Sequence, residues 1–142
     1  EYIYMLRECI AYNKEVLIKA LMNVGMTKVV AVYSDKVDGI LTIPTSVSHE
    51  LTSTEVTIKR VTVGQKGAFL YGKEEATLSL REALETVTMA AAEEAYADYV
   101  DHHDSSLSDS SSGELIFDLK VGSCTLNHTQ YCISAVVRNK KI

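Results

Sequence analysis

The chain has 142 residues, of which 46% are hydrophobic and 23% are charged, as is ordinary for one soluble globular domain spanning 1–142. No apolar run approaches the ~20 residues of a membrane helix, and Arg7 and Glu8 interrupt any signal peptide, so we expect a cytoplasmic protein. A formal net charge of -5 argues against a nucleic-acid-binding surface.

The first part of the chain predicts a helix followed by a strand pair. Apolar residues recur at helical spacing over Leu6–Val24, and Gly25 stands where a helix C-cap is expected. The β-branched run Thr27–Tyr33 predicts a strand, and an Asp-Gly turn over Ser34–Gly39 leads to a partner strand at Ile40–Ile43. We expect residues 1–5 to be flexible.

A second strand pair follows a polar segment. Thr45–Thr54 is rich in Ser and Thr and predicts a surface loop. Glu55–Val63 predicts a strand, with a bulge near Lys59 and Arg60 because the apolar positions change parity there. Gly64–Gly67 predicts a hairpin turn into the strand Ala68–Tyr71.

The second helix has the clearest local signals. Ser79 and Glu82 form a capping-box pattern at its start. The helix is expected to run to about Val100 and to bury a stripe made of Leu80, Leu84, Val87, Ala91 and Ala95.

The last third predicts a loop and a hairpin. Residues 101–113 form an acidic, serine-rich loop, with six serines in Ser105–Ser112. Glu114–Leu119 alternates as a strand, turns at Gly122 and pairs with a strand from Cys124 onward, before a flexible end at 138–142. The predicted fold is α+β, in the order α-ββ-ββ-α-ββ: a mainly antiparallel sheet of about five to six strands with two helices on one face.

Charge is unevenly distributed along the chain. Over 37 residues there is no Lys or Arg but ten carboxylates, so this element carries about -10 and the rest of the chain about +5. The ten acids are Glu82, Glu85, Glu93, Glu94, Asp98, Asp101, Asp104, Asp109, Glu114 and Asp118.

Several short motifs occur in one order: Gly25-Met26-Thr27 and the strand after it, Leu80-Arg81-Glu82-Ala83, Gly113-Glu114-Leu115-Ile116-Phe117-Asp118, and Thr125-Leu126-Asn127-His128. In the order of these motifs the chain resembles a bacterial family of unknown function found on plasmids, phages and other mobile elements. The resemblance covers roughly residues 13–130. It departs from the family's glycine-rich turn, with Asp35–Gly39, and lacks the paired glycines and tryptophan after the long helix, with Asp104–Leu107. Because that family has no established activity, the resemblance implies a genomic setting and no reaction.

One cluster has the residue types of a metal site. Glu94, Asp98 and His102 fall at i, i+4 and i+8 on a continuing helix, with Asp101, His103 and Asp104 beside them, and such ligands suit manganese, iron or zinc. No ExxH or HExxH spacing supports the site, and a solvated helix end explains the same residues. We therefore expect no metal and no other cofactor.

Signals for catalysis are weak elsewhere. The three cysteines, Cys9, Cys124 and Cys132, are odd in number and lack disulfide or zinc spacing, so free thiols are expected. No nucleophile motif surrounds them or the histidines, and His128 is interpreted as a turn or strand residue. Dispersed bases, namely Lys59, Arg60, Lys66, Lys73, Arg138, Lys140 and Lys141, are a weak footprint for direct nucleic-acid binding, which we do not expect.

The sequence favours a non-enzymatic protein-binding module. Its acidic helix and loop could imitate a nucleic acid and occupy a basic groove on another protein, as an anti-defence, anti-CRISPR-like inhibitor from a mobile element would. The alternatives are a metal-dependent enzyme that uses Glu94, Asp98 and His102, or a structural or assembly protein; the oligomeric state stays open. The predicted partner-binding residues are Glu85, Glu93, Glu94, Asp98, Asp101 and Asp104.

Overall fold

The computed structural model describes residues 2–34, 49–64, 71–102, 110–131 and 136–142, apart from the side chains of 100–102 and 136. The predicted strand Ile40–Ile43, Lys66, Cys132 and most of the predicted acidic loop lie outside these residues. The order of elements is α-β-α-ββ-α-βββ: α1 Tyr2–Asn23, β1 Lys28–Ser34, α2 His49–Ser53, β2 Glu55–Val63, β3 Tyr71–Ser79, α3 Leu80–His102, β4 Ser110–Asp118, β5 Ser123–Tyr131 and β6 Val136–Lys141.

The strands form two antiparallel sheets. Four strands pair in the order β1-β4-β5-β6, while β2 pairs only with β3 within the described part of the chain. The predicted α+β class with mainly antiparallel strands is confirmed, although the strands are divided between two sheets and the element order differs.

The core lies where the two long helices meet the sheets. Helix α1 packs against α3 and β2, and α3 contacts strands of both sheets. The predicted α3 stripe is confirmed, since Leu80, Leu84, Val87, Ala91 and Ala95 are all buried. The larger sheet contributes its own inward row from three strands: Val29, Ala31, Leu115, Phe117 and Leu126.

The predicted helix and turn signals have a visible physical basis. Gly25 ends α1 and Gly122 turns β4 into β5, both at positive φ (83° and 76°), which glycine adopts without strain. At the start of α3, the Glu82 amide donates to Ser79 Oγ at 3.1 Å, and the Ser79 hydroxyl donates to the Glu82 carboxylate at 3.0 Å. This is the N-cap half of the predicted capping box.

Two expectations for the middle of the chain are wrong. The polar segment predicted as a loop contains α2, because Leu51, the one apolar residue of this short helix, is fully buried and gives it a face to pack. The bulge predicted in β2 is absent, since β2 and β3 pair one to one. The apolar positions change parity along β2 because Val63 is 60% exposed and does not belong to the buried side. Helix α1 covers the edge of β2, where the Asn13 side-chain amide donates to the Lys59 carbonyl at 2.6 Å and its oxygen accepts from the Lys59 amide at 2.8 Å.

Strand boundaries also need correction. The partner of β2 is described over Tyr71–Ser79 and joins α3 directly, so the strand extends eight residues beyond the end predicted at Tyr71. Residues 65–70, which include the start of that predicted strand and most of the predicted hairpin turn, lie outside the described residues. Part of the predicted serine loop, Ser110–Ser112, is strand because β4 pairs with β5 along its length. Within the ends expected to be flexible, residues 2–5 lie in α1 and residues 138–141 lie in β6, which pairs with β5.

Candidate functional site

Helix α3 presents one row of side chains to solvent. These residues recur at three- and four-residue steps, so they share a side of the helix, which we call the outer face: Glu82, Glu85, Met89, Glu93 and Tyr96. Met89 is 40% exposed and Tyr96 is 42% exposed, so two large side chains share this face with the acids. The outer face is therefore mixed, with three carboxylates and two large side chains.

The outer carboxylates interact locally while staying accessible to solvent. Glu85 lies 3.3 Å from the Arg81 guanidinium, one turn earlier on the same helix. Glu93 accepts a hydrogen bond of 2.6 Å from the Tyr2 hydroxyl. Burial, followed by this contact with Glu93, raises the pKa of Tyr2 well above its ordinary value, so Tyr2 stays a donor at neutral pH.

A groove runs along each side of the outer face. One, of about 420 Å³, lies between α1, β2 and α3 and is lined by Leu6 and Val61 among others. The other, of about 400 Å³, lies between α3 and the ends of β1 and β4, and includes Tyr33 and Tyr96. Met89 and Glu93 line both grooves, so they stand on the ridge between two concave surfaces.

Two other carboxylates of α3, Glu94 and Asp98, which we call the inner acidic pair, point toward β6. The Glu94 side chain is 4% exposed and accepts from Arg7 Nε at 3.1 Å and from Lys140 Nζ at 2.8 Å. Asp98 forms an ion pair with Arg138. Ion pairs thus join α1 and β6 to the middle and end of α3.

The inner acidic pair does not have the solvent exposure that the sequence led us to expect. Burial by itself raises the pKa of the Glu94 carboxyl, but the hydrogen bonds and charges of Lys140 and Arg7 outweigh it, so this pKa lies below the ordinary 4.5. The expectation that Glu94 belongs to an exposed acidic surface is wrong, because cations from distant parts of the chain bury and neutralise it. Asp98 is partly covered in the same way.

The two described carboxylates of the predicted metal site, Glu94 and Asp98, are already ion-paired within the chain. Oxygens of Glu94 and Asp98 face Lys140, Arg7 and Arg138. In the described ranges no three His, Cys, Asp or Glu side chains are grouped as metal ligands would be. The side chains of Asp101 and His102, and all of His103 and Asp104, lie outside the described residues.

The bases of the middle hairpin are also matched by acids. Arg60 Nε lies 2.7 Å from Glu74, and Lys73 Nζ lies 2.6 Å from Glu8. The hydrogen bond and the charge attraction between Lys73 and Glu8 lower the pKa of Glu8 and raise the pKa of Lys73. The Lys59 ammonium lies 4.2 Å from the centre of the Tyr12 ring. These contacts fit a solvated sheet face, the interpretation the sequence favoured.

A buried polar row that the sequence did not reveal crosses the larger sheet. The Tyr33 hydroxyl hydrogen-bonds His128 Nδ1, His128 Nε2 lies 3.0 Å from the Gln130 amide oxygen, and the Gln130 amide donates to the Ser110 carbonyl at 3.1 Å. Nε2 can donate to the Gln130 amide oxygen, and Nδ1 shares a proton with the Tyr33 hydroxyl. Gly113 makes room for the row, since a Cβ there would lie 2.7 Å from Tyr33 Cζ. His128 is in a strand, as interpreted, and both ring nitrogens have partners within the chain.

The thiols that the structure describes are covered. Cys9 and Cys124 are free and buried, and burial raises the pKa of the Cys124 thiol to about 12. A thiol with so high a pKa is protonated at neutral pH and is a weak nucleophile.

Across the described ranges, no helix has the length and apolar character needed to cross a membrane.

The burial of Glu94 and Asp98 had a signal in the sequence. Leu80, Leu84, Val87, Ala91, Glu94 and Asp98 follow one another at alternating steps of four and three, so both acids continue the apolar stripe. A carboxylate on a buried stripe requires a cationic partner. The identity of those partners had no local signal, because Arg7 is 87 residues from Glu94 and Lys140 is 46 residues away.

Comparison of the chain with protein-family models, curated proteins and solved structures gave no match. The resemblance to a family of mobile elements therefore stays a prediction.

Proposed function

We propose that this protein is a non-enzymatic binding module that contacts a protein partner with a basic surface through the outer face of α3. The observation that carries the proposal is the outer row of α3, where the exposed Met89 and Tyr96 lie beside Glu82, Glu85 and Glu93. The inner acidic pair is excluded from this contact surface because its charges are used inside the chain.

The composition of the outer face supports this function. Methionine and tyrosine are enriched at the centres of protein interfaces, where they supply contact area, whereas charged residues are usual at the rim. The flanking grooves of about 420 and 400 Å³ give a partner's side chains somewhere to insert beside Met89. The three carboxylates would speed encounter with a basic partner and select against acidic ones.

The class of partner follows from the charge pattern. Proteins that hold nucleic acids present basic grooves, and an acidic helix can compete for such a groove. The resemblance to mobile-element proteins makes a host defence nuclease, including a CRISPR effector, the specific partner we propose. The chain would then act as an inhibitor by occupying the nucleic-acid groove.

The test compares two charge reversals of equal size. The variant Glu85→Lys with Glu93→Lys reverses the outer face, and Glu55→Lys with Glu75→Lys makes the same change on exposed positions of β2 and β3. Each protein is immobilised and exposed to the heparin-binding fraction of a lysate from cells that carry the gene. A captured protein is then purified and titrated at low and high salt.

We expect the outer-face reversal to weaken binding at least tenfold, which corresponds to about 1.4 kcal/mol, while the control reversal leaves the affinity unchanged. Binding of the unmodified chain should weaken as salt rises, because the screening length shortens to about 10 Å at 0.1 M. Equal affinities for both reversals would contradict the proposal and identify the outer face as an ordinary solvated surface.

A further inference from the structure

The strand β6, at one edge of the larger sheet, has backbone groups that the sheet does not use. It pairs with β5 on one side, and on its other side no described strand lies against it. The Ile142 amide donates to the Cys124 carbonyl at 2.9 Å, so every second residue counted back from Ile142 also faces β5. The amides and carbonyls of Val137, Asn139 and Lys141 therefore point away from β5, and all three residues are exposed.

The side chains of β6 alternate between the two sides of the sheet. Arg138 and Lys140 point inward, where they form ion pairs with Asp98 and Glu94 of α3. The three residues with unused backbone groups point outward, and among them Lys141 has no ion pair to any described residue. The outward side of β6 therefore carries one unmatched positive charge, while the inward cations are matched by acids.

A cavity of about 400 Å³ lies between α3 and the inward side of β5 and β6. Ala95 and Leu126 contribute apolar walls, and residues 137–140 line the cavity along β6. The acids that line it, Glu94 and Asp98, are already ion-paired, so an uncharged side chain fits this cavity better than a charged one. A strand added beside β6 would place every second side chain on this inward side.

We propose that β6 binds an extended segment of another protein as a further antiparallel strand of the larger sheet. Backbone hydrogen bonds to Val137, Asn139 and Lys141 hold the segment, and alternate side chains give specificity. On the outward side an acidic residue lies opposite Lys141. On the inward side apolar residues lie opposite Lys140 and Arg138 and reach the cavity. From its amino end the segment reads acidic, apolar, any residue, apolar, and its binding does not depend on the outer face of α3.

The charges of β6 argue against a second copy of this chain as the added strand. A two-fold pair centred on Asn139 would use the whole strand and would place Val137 of the second copy opposite Lys141. No register supplies an acid to Lys141, because β6 contains three cations and no carboxylate. The same pair would bring Arg138 opposite Lys140 of the second copy, and like charges in that position destabilise a sheet. Lysine on an edge strand is a common protection against such self-pairing.

The experiment titrates the whole chain with the acetylated and amidated peptide Asp-Val-Thr-Val-Thr, observed by amide chemical shifts. We expect the largest shifts at Val137, Asn139 and Lys141. N-methylation of the central threonine removes a donor that faces β6 and should weaken binding about tenfold. N-methylation of the second valine removes a donor that faces away from β6 and should leave the affinity unchanged.

Three variants of the chain locate the site and test its charge selection. Lys141→Glu should weaken binding of the peptide several-fold and strengthen binding of a peptide with lysine in place of aspartate. Lys19→Glu makes the same change at an exposed position of α1 and should alter neither affinity. Asn139→Pro removes an amide that points away from β5 and should abolish binding while β5 and β6 stay paired. If Asn139→Pro does not fold, the N-methylated peptides and the charge exchange decide the result.

Several outcomes would overturn the proposal. Equal affinities for the two N-methylated peptides would mean that the segment does not bind as a strand. Unchanged affinities in Lys141→Glu would mean that the acidic residue is not recognised, and shifts confined to α3 would place the peptide at the outer face. Absence of binding up to about 1 mM peptide would mean that the edge is not a docking site. A dimer in sedimentation that Asn139→Pro abolishes would identify a second copy as the occupant.

Discussion

The two acidic sides of α3 use the same residue types for different purposes. On the outer face, Glu85 and Glu93 are accessible to solvent, and Glu85 contacts Arg81 while Glu93 contacts Tyr2. In the inner acidic pair, Glu94 is 4% exposed and joins α3 to α1 and β6. The difference shows that acids adjacent in sequence need not act as one charged surface. In the folded chain, the burial of each carboxylate and its cationic partners determine its electrostatic role.

Burial of the acid sets the energetic contrast between the two sides. A charge removed from water requires compensation, so a missing partner costs several kcal/mol at a buried site and little at an exposed one. Arg7 and Arg60 allow a matched comparison, because their side chains are 45% and 48% exposed while their acids, Glu94 and Glu74, are 4% and 46% exposed. The predictions that follow test this contrast from its strongest consequence to its weakest.

Removing both cations from Glu94 should have the largest effect. The double substitution Arg7→Met and Lys140→Met leaves a buried carboxylate without an ionic partner, and we expect a loss of about 3–5 kcal/mol in the free energy of unfolding at neutral pH. Urea denaturation measures the loss. The matched substitution Arg60→Met should cost about 0.2–1 kcal/mol, because Glu74 is solvated. A double-variant loss as small as that of Arg60→Met would mean that Glu94 reaches water in solution.

Removing the acid should cost less than removing its cations. In Glu94→Gln the two cations are about half exposed and can turn to solvent, so we expect a loss of about 1–3 kcal/mol at neutral pH. The loss should also depend on pH. Because the pKa of Glu94 is lowered in the folded chain, its ionised form stabilises the fold above the ordinary pKa of 4.5, and this stabilisation disappears as pH falls through the lowered value.

Denaturation of the unmodified chain and of Glu94→Gln between about pH 7 and pH 3 checks this sign. The difference in unfolding free energy should be constant from neutral pH down to about pH 5.5 and should shrink on further acidification. A difference that grows as the pH falls would contradict the assigned direction of the pKa shift.

Local signals in the sequence predicted α3 and the β4–β5 hairpin. Ser79 and Glu82 determine where the helix begins, the apolar stripe with Leu84 determines which side is buried, and Gly122 determines where the hairpin turns. Each of these signals acts within a few residues, so no tertiary information was needed. The α+β class followed from such signals.

The remaining elements depend on contacts between distant residues. β6 shows little apolar alternation, because its inward positions include Arg138 and Lys140, whose partners are carboxylates on α3. The division into two sheets depends on α1 covering the edge of β2 through Asn13, another contact between distant residues. A single sequence contains both partners of each contact but not their pairing, so neither feature was predicted.

The candidate site, like the fold, was predicted only where its residues give a local signal in the sequence. The helix and its accessible acids, Glu85 and Glu93, follow from the spacing of charged and apolar residues. Met89 and Tyr96, which give the outer face its contact area, were overlooked because their exposure depends on how far the core extends around α3. The row from Tyr33 to His128 joins strands that are distant in sequence and had no local signal.

The smallest effect should come from neutralising the outer face. We expect Glu85→Gln with Glu93→Gln to change the free energy of unfolding by less than about 0.5 kcal/mol, because exposed substitutions seldom matter to stability. A glutamine at position 93 can still accept the hydrogen bond from Tyr2, and Arg81 is partly exposed and can turn to water when Glu85 is lost. Denaturation beside Glu94→Gln, which makes the same chemical change at a buried site, is the direct comparison. A loss equal to that of Glu94→Gln would show that the outer acids also support the fold, and weaker partner binding by the charge-reversed variant would then reflect damage to α3 and not a lost contact.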